Sequence, residues 1–331
     1  MNTKLKSIIQ YTIIAAVGAF FLYFAFKGQD WNELFEKIAH ANFMWLGLGM
    51  AVSLFSHYLR AYRAVLLYEP LGYKVSALHS FYAVIIGYMM NYFIPRGGEV
   101  SRCAALYKTD NIPVDKSLGT VVTERIVDLF FMLALLGIIF LIQFDLLCNF
   151  IQEYLQKNQG VENSGLPIKW ILLGGFLLIA LLLFAFRNKI MQHPLVQKVF
   201  HFLKGFSDGL LSIKQVKSPV LFILLSVGIW SCYVLMMYFC LFAMDATKEL
   251  SFTACLTVFA IGTIGVALPA PGAGAGSYHF FVAQALLIFG VAFNDGTAYA
   301  TMVHGVQMLM LLLLGGIISV LVLNKQKAKD K

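Results

Sequence analysis

The sequence predicts an all-α integral membrane protein, with about six spanning helices and two re-entrant hairpins in an inverted repeat. Three observations lead there: an apolar composition, apolar runs of spanning length, and two Pro/Gly-rich interruptions at matching places. Of the 331 residues, 60% are hydrophobic and 13% charged, and the mean hydropathy is +0.77. A soluble domain carries about 25% charged residues, so a chain this apolar cannot cover its surface with polar groups. The net charge is +8, from 25 Lys and Arg against 17 Asp and Glu. In a membrane protein such an excess reports orientation, so no nucleic-acid partner is expected. No stretch is long enough for a soluble catalytic domain.

The elements follow from runs of about 20 apolar residues, the length a helix needs to cross a bilayer. Ser7–Phe26 is long enough to span and is followed by no small-residue cleavage site, so it reads as a retained first helix. Next come Phe43–Leu67, Ser76–Ile94, Leu118–Ile142, Trp170–Phe186, Pro219–Met244, Leu250–Leu268, Ser277–Val291 and Thr297–Leu323. Lys4 and Lys6 at one end and Lys325, Lys327, Lys329 and Lys331 at the other place both termini in the cytoplasm, which demands an even number of crossings. Asp30, Glu33 and Glu36, and the acidic stretch from Asp145 to Glu162, read as external. The basic stretch from Arg187 to Lys217 reads as cytoplasmic, and within it Pro194–Lys217 forms an amphipathic helix on the inner leaflet.

The simplest reconciliation folds Ser76–Lys108 into one hairpin entering from the cytoplasm and Leu250–Val291 into another entering from outside. Non-helical backbone at membrane depth is tolerated only where protein buries it or a cavity lies beside it, so each tip marks a polar site. One membrane domain, 1–331, then contains a first repeat unit at 43–142, a connector at 143–218 and a second unit at 219–323. Both hairpins break at Pro and Gly: Pro95 to Gly98 in the first, and Pro269, Pro271, Gly272, Gly274 and Gly276 in the second. Paired interruptions in two inverted halves point to a transporter binding site. The helices that follow align Arg125 and Asp128 with His304 and Gln307.

Charge inside apolar segments costs about 2.5–3.5 kcal/mol per group on insertion scales, and here it gathers in one place. The first hairpin carries Arg96, Glu99 and Arg102, and the next span carries Glu124, Arg125 and Asp128. Glu99 with Arg102, and Arg125 with Asp128, sit at i,i+3, while Glu124 and Asp128 sit at i,i+4. Each set therefore shares a helix face and can meet the other across the gap. One reading is a structural ion-pair knot, in which Arg125 would be the cation for Glu124 and Asp128. The other is a binding site for an anionic headgroup, since guanidinium grips phosphate in a fork. Arg60 and Arg63 add a cationic surplus. Glycines in the second tip let backbone approach a ligand closely. His57 and His304 read as packed or singly bonded side chains.

Cys103, Cys148, Cys232, Cys240 and Cys255 show no CxxC pairing, and the seven histidines show no metal spacing. No metal site and no cofactor are expected.

These motifs carry a resemblance. Pro95-Arg96-Gly97-Gly98-Glu99-Val100-Ser101-Arg102, then Ser117, Glu124-Arg125 and Asp128, then the Pro-Gly turn from Leu268 to Gly276, resemble the lysylphosphatidylglycerol synthase transmembrane family of flippase-like proteins. The resemblance runs along nearly the whole chain. It implies a multi-pass protein of the bacterial cytoplasmic membrane that moves or positions a lipid with an anionic headgroup. Larger members join such a domain to a soluble aminoacyltransferase. None is expected here, because the chain ends shortly after its last span, and with it goes the expectation of aminoacyl transfer. On this reading Arg96, Arg102, Arg125 and Arg63 hold the phosphate, and Glu99, Glu124 and Asp128 orient them. The turn holding Pro269 is the opposing wall and gate. Two rivals remain: a membrane-embedded transferase acting on a polyprenyl phosphate or similar lipid, and a non-catalytic partner of a glycosyltransferase. Self-association is a further partner expectation.

Overall fold

Each helix begins and ends where local chemistry dictates. In the computed structural model, which describes residues 3–95, 97–146, 216–268 and 270–329, the chain is helical with no strand among the described residues. α1 (Thr3–Phe26) and α2 (Trp31–Ala39) are separated by Asp30, whose carboxylate accepts the N–H groups of Asn32 and Glu33 and so caps α2. Asn42 caps α3 (Phe43–Tyr68) in the same way, through Met44 N–H. Ser76 caps α4 (Ala77–Phe93), accepting His79 N–H, and the chain then turns into α5 (Gly97–Asp110). α6 is Val114–Ile142 and α7 is Pro219–Leu241, with proline at its first position, where no N–H is missed. Ser251 caps α8 (Phe252–Ala267) through Ala254 N–H; α9 (Ser277–Leu287) and α10 (Phe293–Lys329) complete the order.

The expected apolar segments that fall among the described residues are present with shifted ends. α7 stops at Leu241 rather than Met244, and α10 begins at Phe293 rather than Thr297. α2 is an addition, formed where an acidic external stretch was expected. It is sided: Leu34 is fully buried while Trp31 and Phe35 are exposed.

Among the described residues three helices, Val114–Ile142, Pro219–Leu241 and Phe293–Leu323, are long and apolar enough to cross a membrane. A fourth crossing is added if α2 and α3, bent by 82° at their junction, count as one span. The expected six crossings included Trp170–Phe186, which lies outside the described residues with all but the last two residues of the amphipathic segment Pro194–Lys217. They also included α1, whose described apolar part is the shorter Ile14–Phe26. Leu224, Leu313 and Ile317 on α7 and α10 are each about 60% exposed or more, which suits a surrounding of lipid rather than water.

By internal contacts the chain divides into two compact units, Met1–Met132 with Ile213–Lys331, and Leu133–Ser212. The second is described only for 133–146, the far end of α6 and the turn after it. In the first unit α3 packs along α7, α4 against α5 and α10, and α8 against α9, while α9 also packs on α1 and α10. α4–α5 and α8–α9 are thus two helical hairpins, broken at the two Pro-Gly sites.

One end of this unit gathers Asn42, whose N–H donates to the Ala243 carbonyl at 2.7 Å, and Lys37, which bridges Asp295 at 2.5 Å. At the mouth of the first hairpin the His79 ring meets Asp110 at 2.9 Å, tying the start of α4 to the end of α5.

Candidate functional site

The intramembrane charges separate into a buried knot and a half-exposed pair. α3 presents Arg60 and Arg63 at i,i+3, and α6 presents Glu124 and Asp128 at i,i+4, so two complementary faces meet. Arg60 Nη1 lies 2.6 Å from Asp128 Oδ2, and Arg63 Nη2 lies 2.9 Å from Oδ1 of the same carboxylate. Arg102, from α5, takes Glu124 as a fork, with Nη2 to Oε1 at 2.6 Å and Nη1 to Oε2 at 3.0 Å. α7 joins through Tyr233, whose hydroxyl accepts from Arg60 Nη2 at 3.0 Å, and through Ser226, which accepts from Arg63 Nη1 at 3.0 Å. All five charged side chains are buried. Three guanidinium groups face two carboxylates, so the knot fastens α3, α5, α6 and α7 together and carries one surplus positive charge.

Arg125 stands apart. Its Nε donates to Glu99 Oε1 at 3.1 Å, and the side chains are 51% and 37% exposed. Two expectations change here. Arg125 is not the cation that neutralises Glu124 and Asp128; one turn of helix carries Glu124 inward while its neighbour points away. Arg60, read only as surplus, proves to be a principal partner of Asp128. Arg63, Arg102, Glu124 and Asp128, expected at a headgroup, are engaged with one another. Arg96 and Pro269 lie outside the described residues.

A cavity of about 510 Å³ opens beside the exposed pair. One wall is the tip of the first hairpin, with Asn91, Tyr92, Pro95 and Glu99, continued by Arg125 of α6. The facing wall is the tip of the second, with Leu268, Ala270, Ala273 and Gly274. His57, His304 and Gln307 add to the polar lining, with Tyr88, Thr263 and Tyr278. Arg125 and the aligned His304 and Gln307 thus border the same space, whereas Asp128 belongs to the knot.

The tips are built differently. In the first, the Gly98 N–H donates to Asn91 Oδ1 at 2.9 Å, and the two backbones are so close that a Cβ on Gly98 would overlap the Gly87 carbonyl oxygen. The second is a left-handed turn, with φ of 66° at Gly272, 54° at Ala273, 93° at Gly274 and 88° at Gly276. Of these four, only Ala273 carries a side chain in the left-handed region. Ser277 fixes the turn from below, its hydroxyl donating to the carbonyls of Gly265 at 2.7 Å and Gly274 at 3.1 Å.

Tyr88, Asn91 and Tyr92 were not singled out from sequence, although a polar stripe at i, i+3 and i+4 within an apolar helix is the signal that exposes them. Tyr233 and Ser226, isolated in an apolar run, gave none.

Among the described residues no group of three or more His, Cys, Asp or Glu side chains is arranged to hold a metal.

Fold and site together define a multi-pass, all-helical membrane protein with a polar cavity between two hairpin tips. The family model described as the lysylphosphatidylglycerol synthase TM region matches residues 8–315, and the chain belongs to that family. Membership implies a role connected with membrane lipid. No curated protein and no solved structure matches the chain.

Proposed function

We propose that the protein translocates a lipid with an anionic headgroup, phospholipid or polyprenyl phosphate, through the cavity between the hairpin tips. The observation that carries this reading is the placement of Arg125. It lies on the wall of a cavity of about 510 Å³, half exposed and held only by Glu99, while the other described arginines of the cluster are locked in buried pairs. A phosphate can replace Glu99 on Arg125 without dismantling the fold, and Arg96, three residues before Glu99 in sequence, is the expected second guanidinium. The surplus positive charge of the knot behind them attracts the anion without touching it. Arg63, Arg102, Glu124 and Asp128 then serve by holding α5 and α6 in register.

An inverted repeat accounts for the architecture. Asn42 and Ser76 begin α3 and α4, and Ser218 and Ser251 begin α7 and α8, at nearly equal spacing. Ser76 and Ser251 cap with the same geometry, each hydroxyl accepting from the N–H three residues on. Each unit would run as span, re-entrant hairpin, span, with α3 against α7 at the pseudo-twofold axis. Positive residues then place both termini, Lys74 and Lys108 on the cytoplasmic side of the inner membrane, and α2, Asp245 and Asp295 outside.

Reconstitution in vesicles with headgroup-labelled lipids tests the function. Labelled lipid should cross unchanged, and Arg125→Ala should slow it at least tenfold without loss of folded protein. Chemical conversion of the lipid would establish the transferase instead. Absence of lipid movement, with loss of a glycosyltransferase's activity when the gene is removed, would establish the accessory partner.

A further inference from the structure

The second tip is held by a side chain whose grip depends on a proton. Gly276 is the N-cap of α9, and its buried N–H donates to Nδ1 of His279 at 3.2 Å. His279 occupies the third position of the helix, where a capping box usually places Glu or Gln to accept that same N–H. A histidine there differs in kind. Its Nδ1 accepts only while the ring is neutral with its proton on Nε2, and a proton on Nδ1 turns the acceptor into a second donor.

We propose that His279 is a proton-operated latch on the turn Pro271–Gly276: bare at Nδ1 it holds Gly276 in place, and protonated at Nδ1 it releases the turn that walls the cavity.

A second imidazole stands between His279 and the cavity, and no described carboxylate is paired with either ring. The His279 ring packs against the His304 ring, with centroids 5.2 Å apart and planes at 84°. His304 lines the cavity, is buried, and has an Nε2 without a hydrogen-bond partner. Among the described residues, no carboxylate on the elements packed around the two rings is paired with either of them. From α4 and α9, Tyr92 and Tyr278 meet the His304 ring face at 6.1 and 5.4 Å. On α10 itself the Tyr299 hydroxyl donates to the Met237 carbonyl, and Asp295 is bridged to Lys37. On α8 the Cys255 thiol donates to the Val234 carbonyl. On the α1 side Phe26 packs on His279 at 5.5 Å, while Tyr23 and Lys27 are exposed. On the cavity wall, Glu99 and Arg125 bind each other.

The step is a simple proton transfer. Hydronium in the cavity becomes water, His304 passes the proton inward, and His279 becomes an imidazolium. Among the described residues nothing in the resting pocket balances that charge, so an anion entering the cavity favours protonation, and protonation favours the anion. The released Gly276 N–H becomes a free donor on the same wall. Proton and anionic headgroup are thereby coupled; this coupling rests on the translocase reading, whereas the latch itself does not.

The full chain in vesicles, its native cysteines replaced and Ala275→Cys bearing a nitroxide, tests this with a readout independent of transport. Label mobility and movement of an anionic fluorescent phospholipid should both rise as pH is lowered from about 7 toward about 4, because a ring buried among uncharged neighbours takes up its proton at lower pH than one in water. The slope should approach but not exceed about tenfold per pH unit, the limit for one proton. In His279→Asn the amide oxygen accepts at every pH, so both profiles should become flat and low. Should that variant not fold, the imidazole ¹⁵N resonances of the parent decide. Nδ1 must gain its proton over the interval in which the label loosens, and a ring that stays neutral overturns the latch. A label blind to pH while lipid moves overturns the latch and leaves the translocase standing. A label that loosens while no lipid moves does the reverse.

Discussion

Arg102 and Arg125 are alike in sequence context, yet one is walled in and the other stands in a cavity, and their substitutions separate structure from function. Arg102→Ala strips Glu124 of a bidentate partner in a site where Glu124 is 1% exposed. Removing one member of a buried pair costs about 3–5 kcal/mol, so the variant should melt far below the parent in detergent. Glu124→Gln with Arg102→Met removes both charges and should recover most of that loss. Arg125→Ala breaks a half-exposed pair worth about 0.2–1 kcal/mol, so it should melt near the parent while losing lipid binding. Equal melting temperatures for Arg102→Ala and Arg125→Ala would refute the division into knot and cavity pair. That division was only half legible beforehand. Spacing along α6 shows which charged groups share a face, but not that α3 lies across it. Arg60 and Arg63 therefore looked like surplus, and Arg125 like the keystone.

The hairpins were the most legible elements, because what breaks a helix is local. Pro95 and the Pro-Gly run after Leu268 forbid continuation whatever lies around them, and the helices stop at Phe93 and Ala267. α2 was missed because its signal is modest: a capping Asp30 and a single buried Leu34 in a short polar stretch. What keeps a hairpin shut is tertiary and was hidden in sequence. Gly87 and Gly98 look like two glycines among many, yet a Cβ at Gly98 would strike the Gly87 carbonyl and the Asn91 amide together. Gly98→Ala should therefore force α4 and α5 apart, costing about 1–3 kcal/mol as overpacking does. Gly119 on α6 has nothing within 4 Å of its would-be Cβ. Gly119→Ala should be neutral or slightly stabilising, since alanine is the better helix former by about 0.8–1.0 kcal/mol. Thermal melts of the two variants, side by side, check the contrast, and parity between them would mean the hairpin is not closed by backbone contact.

For the whole molecule, transport requires that the space between the tips be the path and not merely a gap between packed helices. A substitution that fills the cavity without disturbing the scaffold makes the test. Gly274 is a poor choice, because its φ is +93° and its Cβ would lie 3.1 Å from the Val266 backbone, so a bulky residue there perturbs the fold first. Ala267 is better placed: it ends α8, lines the cavity and is exposed. An indole at that point extends from an exposed position on the cavity wall. Ala267→Trp should melt within about 0.5 kcal/mol of the parent, as surface changes do, while lipid movement falls at least tenfold. Binding of headgroup phosphate at Arg125, on the opposite wall, should be retained, because a filled path blocks passage and leaves the guanidinium in reach of one leaflet. Measured together, melting temperature, headgroup binding and flux give three readouts of one variant. Unchanged flux in a folded Ala267→Trp protein would mean that lipid takes another route, and the cavity between the tips would then be a binding pocket without being a passage.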